Sequence, residues 1–209
     1  MDLNEKAQWH KDFNGGMVPV LETPAGDLIK ESGIVAQFAI EQGGDDGVSL
    51  IPKDPIQAAK MRVEMDRCQQ LLQPFFGIYM SRGEDPEKNK ALIPTVQAYN
   101  DLVKNGTYMF GTEEPTLLDV HFMPFIETLV DFETSVMSNV LADIEFEKNG
   151  PHLKAYVAKF RAHPLMQPWY MNTHAAEKHW ARTRGWEKGV KCQLTVDYLE
   201  ECFAKTYGK

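Results

Sequence analysis

A short apolar stretch near the N-terminus, Met17 to Glu22, constrains the fold of this 209-residue chain more than any other segment. Val18 to Leu21 predicts a strand, and its proline indicates an edge or a special bend because proline cannot donate to a sheet ladder. Residues 23–26, Thr-Pro-Ala-Gly, then supply turn chemistry. Asp27 to Lys30 predicts the returning strand, and Ser32 is placed to cap a helix behind it. The segment therefore predicts a hairpin followed by a helix.

This unit has the chemistry of a site for a small extended peptide with a free carboxylate. The first turn of a helix has unpaired N–H groups and a partial positive charge, which favour a carboxylate. If the Val18–Pro19 bond is cis, the peptide group of Val18 faces outward and is free to pair with something extended. An ordinary hairpin packed on a helix, with no ligand, is the alternative that the local pattern leaves open.

The same residues resemble the glutathione-binding half of a glutathione transferase. The resemblance rests on Gly16-Met17-Val18-Pro19-Val20-Leu21-Glu22 with Glu31-Ser32, and on an upstream segment, Glu5-Lys6-Ala7-Gln8-Trp9 with Asn14, that is most similar to the omega class. Gly15 departs from the family pattern, which usually has proline after the asparagine.

The resemblance implies a role for each matching residue. It implies a cis Val18–Pro19 bond and a backbone pairing between Val18 and the cysteinyl part of glutathione. Glu31 and Ser32 would hold the γ-glutamyl end, and Lys6 would meet the glycyl carboxylate. The predicted glutathione-binding residues are therefore Lys6, Val18, Pro19, Glu31 and Ser32.

The fold class implied is α+β and mostly α. Residues 1–48 would form a truncated, thioredoxin-like glutathione-binding domain consisting of a β-hairpin plus helices. Residues 55–209 would form the all-helical glutathione-transferase C-terminal domain, and an acidic, glycine-rich link joins the two.

Apolar residues at spacings of three and four predict the helices of the second domain. One runs from Pro55 to about Arg82, and another runs from Pro86 through Val103 with a kink at Pro94. A further helix begins at Pro151, and a final one covers residues 190–203. In the family the first of these helices borders the electrophile pocket, which points to Phe76, Tyr79 and Met80.

Thr116 and Asp119 form a Thr-x-x-acid capping box ahead of a helix that is apolar nearly all round. Such a helix is buried, and its first turn needs internal partners because an unsatisfied buried N–H costs about 1–3 kcal/mol. The box resembles a structural capping motif in the helical domain of glutathione transferases. Asp119 is therefore predicted to be a folding residue and not a catalytic one.

No residue of the chain is predicted to be catalytic. In the family, the residue that stabilises the thiolate or forms a mixed disulfide lies ahead of the region matched here. Residues 1–17 contain no Cys, Ser, Thr or Tyr, and His10, the only base there that titrates near neutrality, is expected at the surface. The cysteines, Cys68, Cys192 and Cys202, lie far from the family's nucleophile position and have no metal spacing.

Composition limits the partners and the compartment. The net charge of −8 disfavours a nucleic-acid surface, although residues 174–191 interleave five Lys/Arg with two tryptophans. No metal site is predicted, because His174 and His179 do not share a helix face. No apolar run suits a membrane helix, which disfavours the membrane-inserting chloride-channel relatives of the same fold. An odd cysteine count without a signal peptide predicts a cytoplasmic or other reducing intracellular compartment.

The hairpin raises a stability problem that bears on partners. A thioredoxin-like sheet without its first two strands is a bare hairpin, marginal by itself in water. The open edge along Val18 to Leu21 would invite pairing with another chain. We expect the edge to be covered by the chain's own helical domain, a second copy or a different subunit, and the predicted partner state is a homo-oligomer or a subunit of a protein complex.

Two functions follow from these observations. The preferred one is a glutathione-transferase-like protein with a partial glutathione site and no visible nucleophile, acting as a non-catalytic accessory or structural subunit. The alternative is an active omega-like glutathione transferase or thiol transferase, whose missing residues lie upstream or come from a partner.

Overall fold

A computed structural model describes residues 6–43, 49–81, 83–134 and 137–166. The chain divides into two compact units, Met1–Met61 and Arg62–Lys209. The described elements are mostly helices with one small antiparallel sheet, which confirms the coarse fold class. The predicted domain limits, 1–48 and 55–209, stay a prediction. The predicted helix at 190–203, the basic segment 174–191, the two histidines in it, Cys192 and Cys202 lie outside the described residues.

The first unit contains a short helix, a hairpin and a second helix. Helix α1 covers Gln8–Asn14, strands β1 and β2 cover Val20–Glu22 and Leu28–Lys30, and helix α2 covers Ser32–Gln42. The strands pair antiparallel, with Val20 opposite Lys30. The predicted order of hairpin and helix is therefore confirmed.

The hairpin turn is built around Thr23. Its carbonyl accepts from the Gly26 N–H at 2.9 Å, and its own N–H donates to the Asp27 carbonyl at 2.9 Å. The Thr23 hydroxyl oxygen accepts a third bond from the Asp27 N–H at 3.1 Å. Gly26 takes φ +88°, a backbone angle that favours glycine. The turn predicted from Thr-Pro-Ala-Gly at residues 23–26 is therefore confirmed.

Glu31, and not Ser32, is the N-cap residue of α2. The Glu31 carbonyl accepts from the N–H groups of Ile34 and Val35 at 3.0 and 2.9 Å, so Ser32 is already helical. The prediction that Ser32 caps the helix is wrong by one position. The reason is that Glu31 takes φ +70°, which turns the chain from β2 into α2 within one residue.

The remaining described elements are helices, most of them joined by short turns, with a longer loop at residues 104–116 between α6 and α7. Helix α3, which spans the boundary between the units, is followed by seven described helices and a 3₁₀ turn at Phe132–Thr134. Their bounds are α3 Pro55–Gln70, α4 Gln73–Ser81, α5 Pro86–Lys90, α6 Ile93–Val103, α7 Leu117–Asp131, α8 Ser138–Asp143, α9 Phe146–Asn149 and α10 Leu153–Ala162. None of the helices in the described ranges is long and apolar enough to cross a membrane.

Two helices predicted to be continuous are each broken into two. Pro74 lacks an N–H, and its ring would meet the carbonyl of Gln70, where α3 ends. Pro94 stands in the same relation to Lys90, the last residue of α5. Each proline then lies in the first turn of the next helix, where no N–H partner is needed. The predicted continuous helix to about Arg82, and the mere kink at Pro94, are therefore wrong.

Helix α7 is the centre of the second unit. Its buried apolar residues face several sides, as its sequence predicts, and α10 adds a second buried stripe. The buried apolar side chains of these two helices are Leu117, Leu118, Phe122, Met123, Ile126, Leu129, Leu153, Tyr156, Val157 and Phe160.

Asp119 joins three parts of the second unit by hydrogen bonds. Its Oδ2 accepts from the Thr116 N–H at 2.8 Å and from the Thr116 hydroxyl at 2.9 Å. Its Oδ1 accepts from the Met109 N–H at 2.8 Å and from the Tyr156 hydroxyl at 2.7 Å. The carboxylate is fully buried, and the capping box at Thr116 is confirmed. Asp119 is thus tied into the fold by all four contacts.

Candidate functional site

Four of the five predicted glutathione-binding residues lie at one end of the hairpin. Val20 of β1 is opposite Lys30 of β2. Val18 and Pro19 directly precede β1, and Glu31 and Ser32 directly follow β2, so all four lie beyond the Val20–Lys30 pair. The fold therefore brings the residue before the proline next to the start of α2, although 13 positions separate Val18 from Glu31 in the sequence.

Val18 presents an unpaired backbone at this end of the hairpin. The Val18–Pro19 bond is cis, as the resemblance implies. In the described part of the chain, neither the N–H nor the carbonyl of Val18 has a hydrogen-bond partner, and the side chain is exposed. Among the described strands, β1 pairs with β2 alone. A ligand in extended conformation would therefore find a free donor and a free acceptor here.

Glu31 and Ser32 supply polar groups beside Val18. Both are exposed, and within the described residues neither side chain makes a hydrogen bond. The N–H groups of Ser32 and Gly33, at the start of the 11-residue α2, have no described acceptor either. Glu31 at φ +70° is a strained backbone position for a residue with a Cβ, and such strain clusters at functional sites. The arrangement offers one carboxylate, one hydroxyl and two free N–H groups to a ligand.

Lys6 is engaged with the loop between α1 and Val18. Its ammonium group donates to the Gly16 carbonyl. The loop is packed closely against it, because a Cβ on Gly16 would lie 3.1 Å from the Lys6 Cδ. An ammonium has three donors, so this contact leaves capacity for a carboxylate. The predicted role of Lys6 toward the glycyl carboxylate stays a prediction.

His10 lies inside the first unit, so the expectation of a surface histidine is wrong. Its side chain is 1% exposed, and its Nε2 lies 2.7 Å from the Met17 carbonyl. The Nδ2 of Asn14 donates to the same carbonyl at 2.9 Å. The glycine pair Gly15–Gly16, at φ +58° and +74°, turns the chain back so that this carbonyl faces α1. The four-residue spacing of His10 and Asn14 was the signal in the sequence, because it puts both on one helix face.

Two groups in the described part of the second unit, the Cys68 thiol and the Tyr99 hydroxyl, are held in their neutral forms. Cys68 is fully buried, and burial together with the nearby Glu64 carboxylate raises the pKa of its thiol to about 12. Burial likewise raises the pKa of Tyr99, whose hydroxyl donates to the Cys68 carbonyl at 3.2 Å. Neither group forms an anion near neutral pH. Within the described ranges, no set of three His, Cys, Asp or Glu residues is arranged to hold a metal ion.

A concavity of about 400 Å³ in the second unit contains none of the predicted site residues. Lys154 lies in its wall and is paired with Glu133 at 3.0 Å and with Glu147 at 2.6 Å. These ion pairs neutralise the carboxylates they contact. The suggested electrophile-pocket residues, Phe76, Tyr79 and Met80, lie on α4, with Phe76 and Met80 exposed, and their role stays a prediction.

Comparison with known proteins points to a single class. The chain is 24% identical over 188 residues to pyrimidodiazepine synthase of Drosophila melanogaster, and the match covers 88% of this chain and 73% of that protein. It is 25% identical over 169 residues to glutathione S-transferase omega-1 of Mus musculus, covering 79% of this chain and 65% of that one. It is 26% identical over 178 residues to glutathione S-transferase F14 of Arabidopsis thaliana, covering 78% and 65%. No protein-family model matches the chain.

The chain is therefore a glutathione-transferase-like protein, with a small hairpin unit and a unit of helices. The two named transferases are matched over about two thirds of their own length. The resemblance drawn from residues 5–32 is confirmed at the level of the family.

Proposed function

We propose that this chain binds glutathione at the hairpin end formed by Val18, Pro19, Glu31 and Ser32. The observation that carries the proposal is the free backbone of Val18 beside the unpaired first turn of α2. An extended tripeptide needs a backbone donor and acceptor along its length and a counter-charge at each end. This end of the hairpin offers the backbone donor and acceptor. The start of α2 offers one of the two counter-charges.

The charges of the γ-glutamyl group fit the start of α2. Its α-carboxylate matches the Ser32 hydroxyl and the free N–H groups of Ser32 and Gly33, because a helix N-terminus favours an anion. Its α-ammonium matches the Glu31 carboxylate. The glycyl carboxylate at the other end of the tripeptide is assigned to Lys6. In this arrangement the cysteinyl part lies against Val18.

We also propose that the chain binds without activating the glutathione thiol. The described cysteine, Cys68, is buried and its pKa is raised, so it does not form a thiolate that could exchange with glutathione. An accessory or structural subunit, or one member of a homo-oligomer, suits such a site. The open edge of β1 supports a protein partner, as do Trp9, Met17 and Ile34, which are each more than half exposed.

Calorimetry with reduced glutathione, run beside a conjugation assay with an aryl halide, tests both parts. The wild-type chain should bind glutathione and give no turnover above the uncatalysed rate. Ser32→Ala should lower the affinity about tenfold, since a hydrogen bond to a charged group contributes roughly 1.5–3 kcal/mol. Glu87→Gln, a change at an exposed residue of α5, is the matched control and should bind as the wild type does.

The outcomes separate the two parts of the proposal. An absence of binding heat, with no rise in melting temperature at millimolar glutathione, would refute the site. Turnover by the purified 209-residue chain would refute the non-catalytic role.

The second candidate function is an active omega-like glutathione transferase or thiol transferase. The match to glutathione S-transferase omega-1 over 79% of this chain favours it. The activating residue would then lie upstream or come from a partner. Thiol-transfer activity that appears only when the chain is extended or bound to its partner would select this function over the first.

A further inference from the structure

Side chains on one face of the N-terminal segment converge on the loop that leads into Val18. Lys6, His10 and Asn14 are spaced by four residues, and each meets a backbone carbonyl of that loop. Lys6 donates to Gly16, while His10 and Asn14 both meet Met17, at 2.7 and 2.9 Å. The loop is therefore held by side chains of the segment before it.

The Met17 carbonyl has both of its acceptor positions filled. A carbonyl oxygen has two lone pairs, and His10 and Asn14 supply one donor each. The two donating residues are 1% and 5% exposed, which shields the donor side of both bonds from water. Two bonds fix the direction of this carbonyl more tightly than one would.

The direction of that carbonyl sets the direction of the Val18 N–H. The Met17–Val18 peptide is trans, so its carbonyl and its N–H point in opposite directions within one plane. With the carbonyl held toward α1, the Val18 N–H points away from α1. In the described part of the chain it has no partner on that side.

We propose that His10 is a positioning residue for the ligand site, a role that rests on the proposed function. Together with Asn14 it holds the Met17–Val18 peptide in the orientation that presents the Val18 N–H to an extended peptide. His10 acts through the backbone, because its own side chain is buried.

The geometry also fixes which atom of His10 carries the proton. The Met17 carbonyl only accepts, so Nε2 must be the donor. Nδ1 is buried and has no described hydrogen-bond partner. A side chain that donates from the position of Nε2 should therefore replace histidine. Glutamine can do so, whereas phenylalanine keeps the ring but cannot donate.

The test compares His10→Phe and His10→Gln with the wild type by titration with reduced glutathione. His10→Phe should lower the affinity about tenfold, as expected for one lost buried hydrogen bond, and His10→Gln should stay within about threefold of the wild type. The amide resonance of Val18 in the ligand-free protein is the second readout, because its nitrogen shares a peptide group with the Met17 carbonyl. It should shift in His10→Phe and return toward its wild-type position in His10→Gln.

Equal affinity of the wild type and a folded His10→Phe variant would overturn the inference, as would an equal loss in both variants. If His10→Phe does not fold, Asn14→Ala removes the other bond to the same carbonyl and should lower the affinity about fivefold. An unchanged affinity in Asn14→Ala would then overturn the inference. Failure of the wild type itself to bind would refute the proposed function instead, and the Val18 resonance would still decide whether His10 holds the peptide.

Discussion

Replacing Asp119 with alanine should cost this protein much of its stability and little of its ligand affinity. The side chain accepts four hydrogen bonds, which link Met109, Thr116 and Tyr156. Alanine accepts none of them. Asp119 lies in the second unit, whereas all the proposed ligand contacts lie in the first. The change therefore separates folding from binding.

The size of the effect follows from the donors left behind. Asp119→Ala removes the acceptor of four donors, namely the N–H groups of Met109 and Thr116 and the hydroxyls of Thr116 and Tyr156. Each orphaned buried donor costs about 1–3 kcal/mol. Hydroxyls can turn to other acceptors, and water can enter the vacated space, so the lower part of that range applies. We expect a loss of about 4 kcal/mol, against the roughly 5–15 kcal/mol by which native domains are stable.

Three graded variants calibrate this figure. Asp119→Asn keeps the shape but turns one acceptor into a donor facing a backbone N–H, and should cost about 2–3 kcal/mol. Tyr156→Phe removes one of the four bonds and should cost about 1 kcal/mol. Asp101→Ala, which breaks an exposed pair with Lys104, should cost no more than about 0.5 kcal/mol.

Urea unfolding followed by circular dichroism measures the loss, through the midpoint and the slope. Glutathione is then titrated at a temperature where each variant is still folded. The four variants should rank in the order given, with the affinity of each close to that of the wild type. Loss of binding in Asp119→Ala with an unchanged free energy of unfolding would refute the assignment of Asp119 as a folding residue.

Three further predictions concern single side chains. Because burial raises the pKa of Cys68 to about 12, iodoacetamide at pH 8 should label it at least about 100-fold more slowly in the folded chain than in urea. The measurement uses a variant in which Cys192 and Cys202 are changed to alanine, and equal labelling rates would contradict the burial of Cys68. Burial lowers the pKa of His121, so the unfolded chain protonates there first, and the free energy of unfolding should fall as pH drops below about 6.5. His121→Gln should remove part of that fall, and parallel pH profiles for the two proteins would count against it. Glu31→Gly relieves the backbone strain at φ +70° and should raise the free energy of unfolding by about 1 kcal/mol, while the affinity for glutathione falls. A lower free energy of unfolding would show that Glu31 is not strained. An unchanged affinity would show that Glu31 is not in the site.

The hairpin and α2 could be predicted from the sequence because their signals are local. Thr23 and Gly26 make their turn with neighbours three or four positions away. The capping box at Thr116 is local in the same sense, and so its presence was predictable. The bond from Tyr156 to Asp119 spans 37 positions, and nothing in the sequence announces it.

The broken helices were mispredicted because apolar spacing alone does not see a steric clash. The pattern of threes and fours continues through Cys68 and Leu72, whereas α3 ends at Gln70, whose carbonyl the ring of Pro74 would meet. The break frees the Leu71 carbonyl, and Thr95 of the other broken helix donates to it at 2.8 Å. Checking the residue four positions before each proline would have pointed to both breaks, but also to one at Pro124, where α7 continues unbroken.

The polar residues of the candidate site were recognisable from the sequence, but the role of His10 was not. Its burial depends on the direction in which Gly15 and Gly16 turn the chain. A glycine pair announces a turn and leaves its direction open, because glycine takes positive and negative φ about equally well. The contact of His10 with the Met17 carbonyl therefore depends on the path of the backbone and not on the type of residue.

The unpaired backbone of Val18 has a consequence for how this site would respond to mutation. If an N–H and a carbonyl do the recognising, most side chains at position 18 would serve equally well, because every residue except proline supplies both groups. An alanine scan of the hairpin would then pass over its most important position without a signal. Val18→Pro, or replacement of the Met17–Val18 amide by an ester, deletes the donor itself and would expose what side-chain truncation conceals.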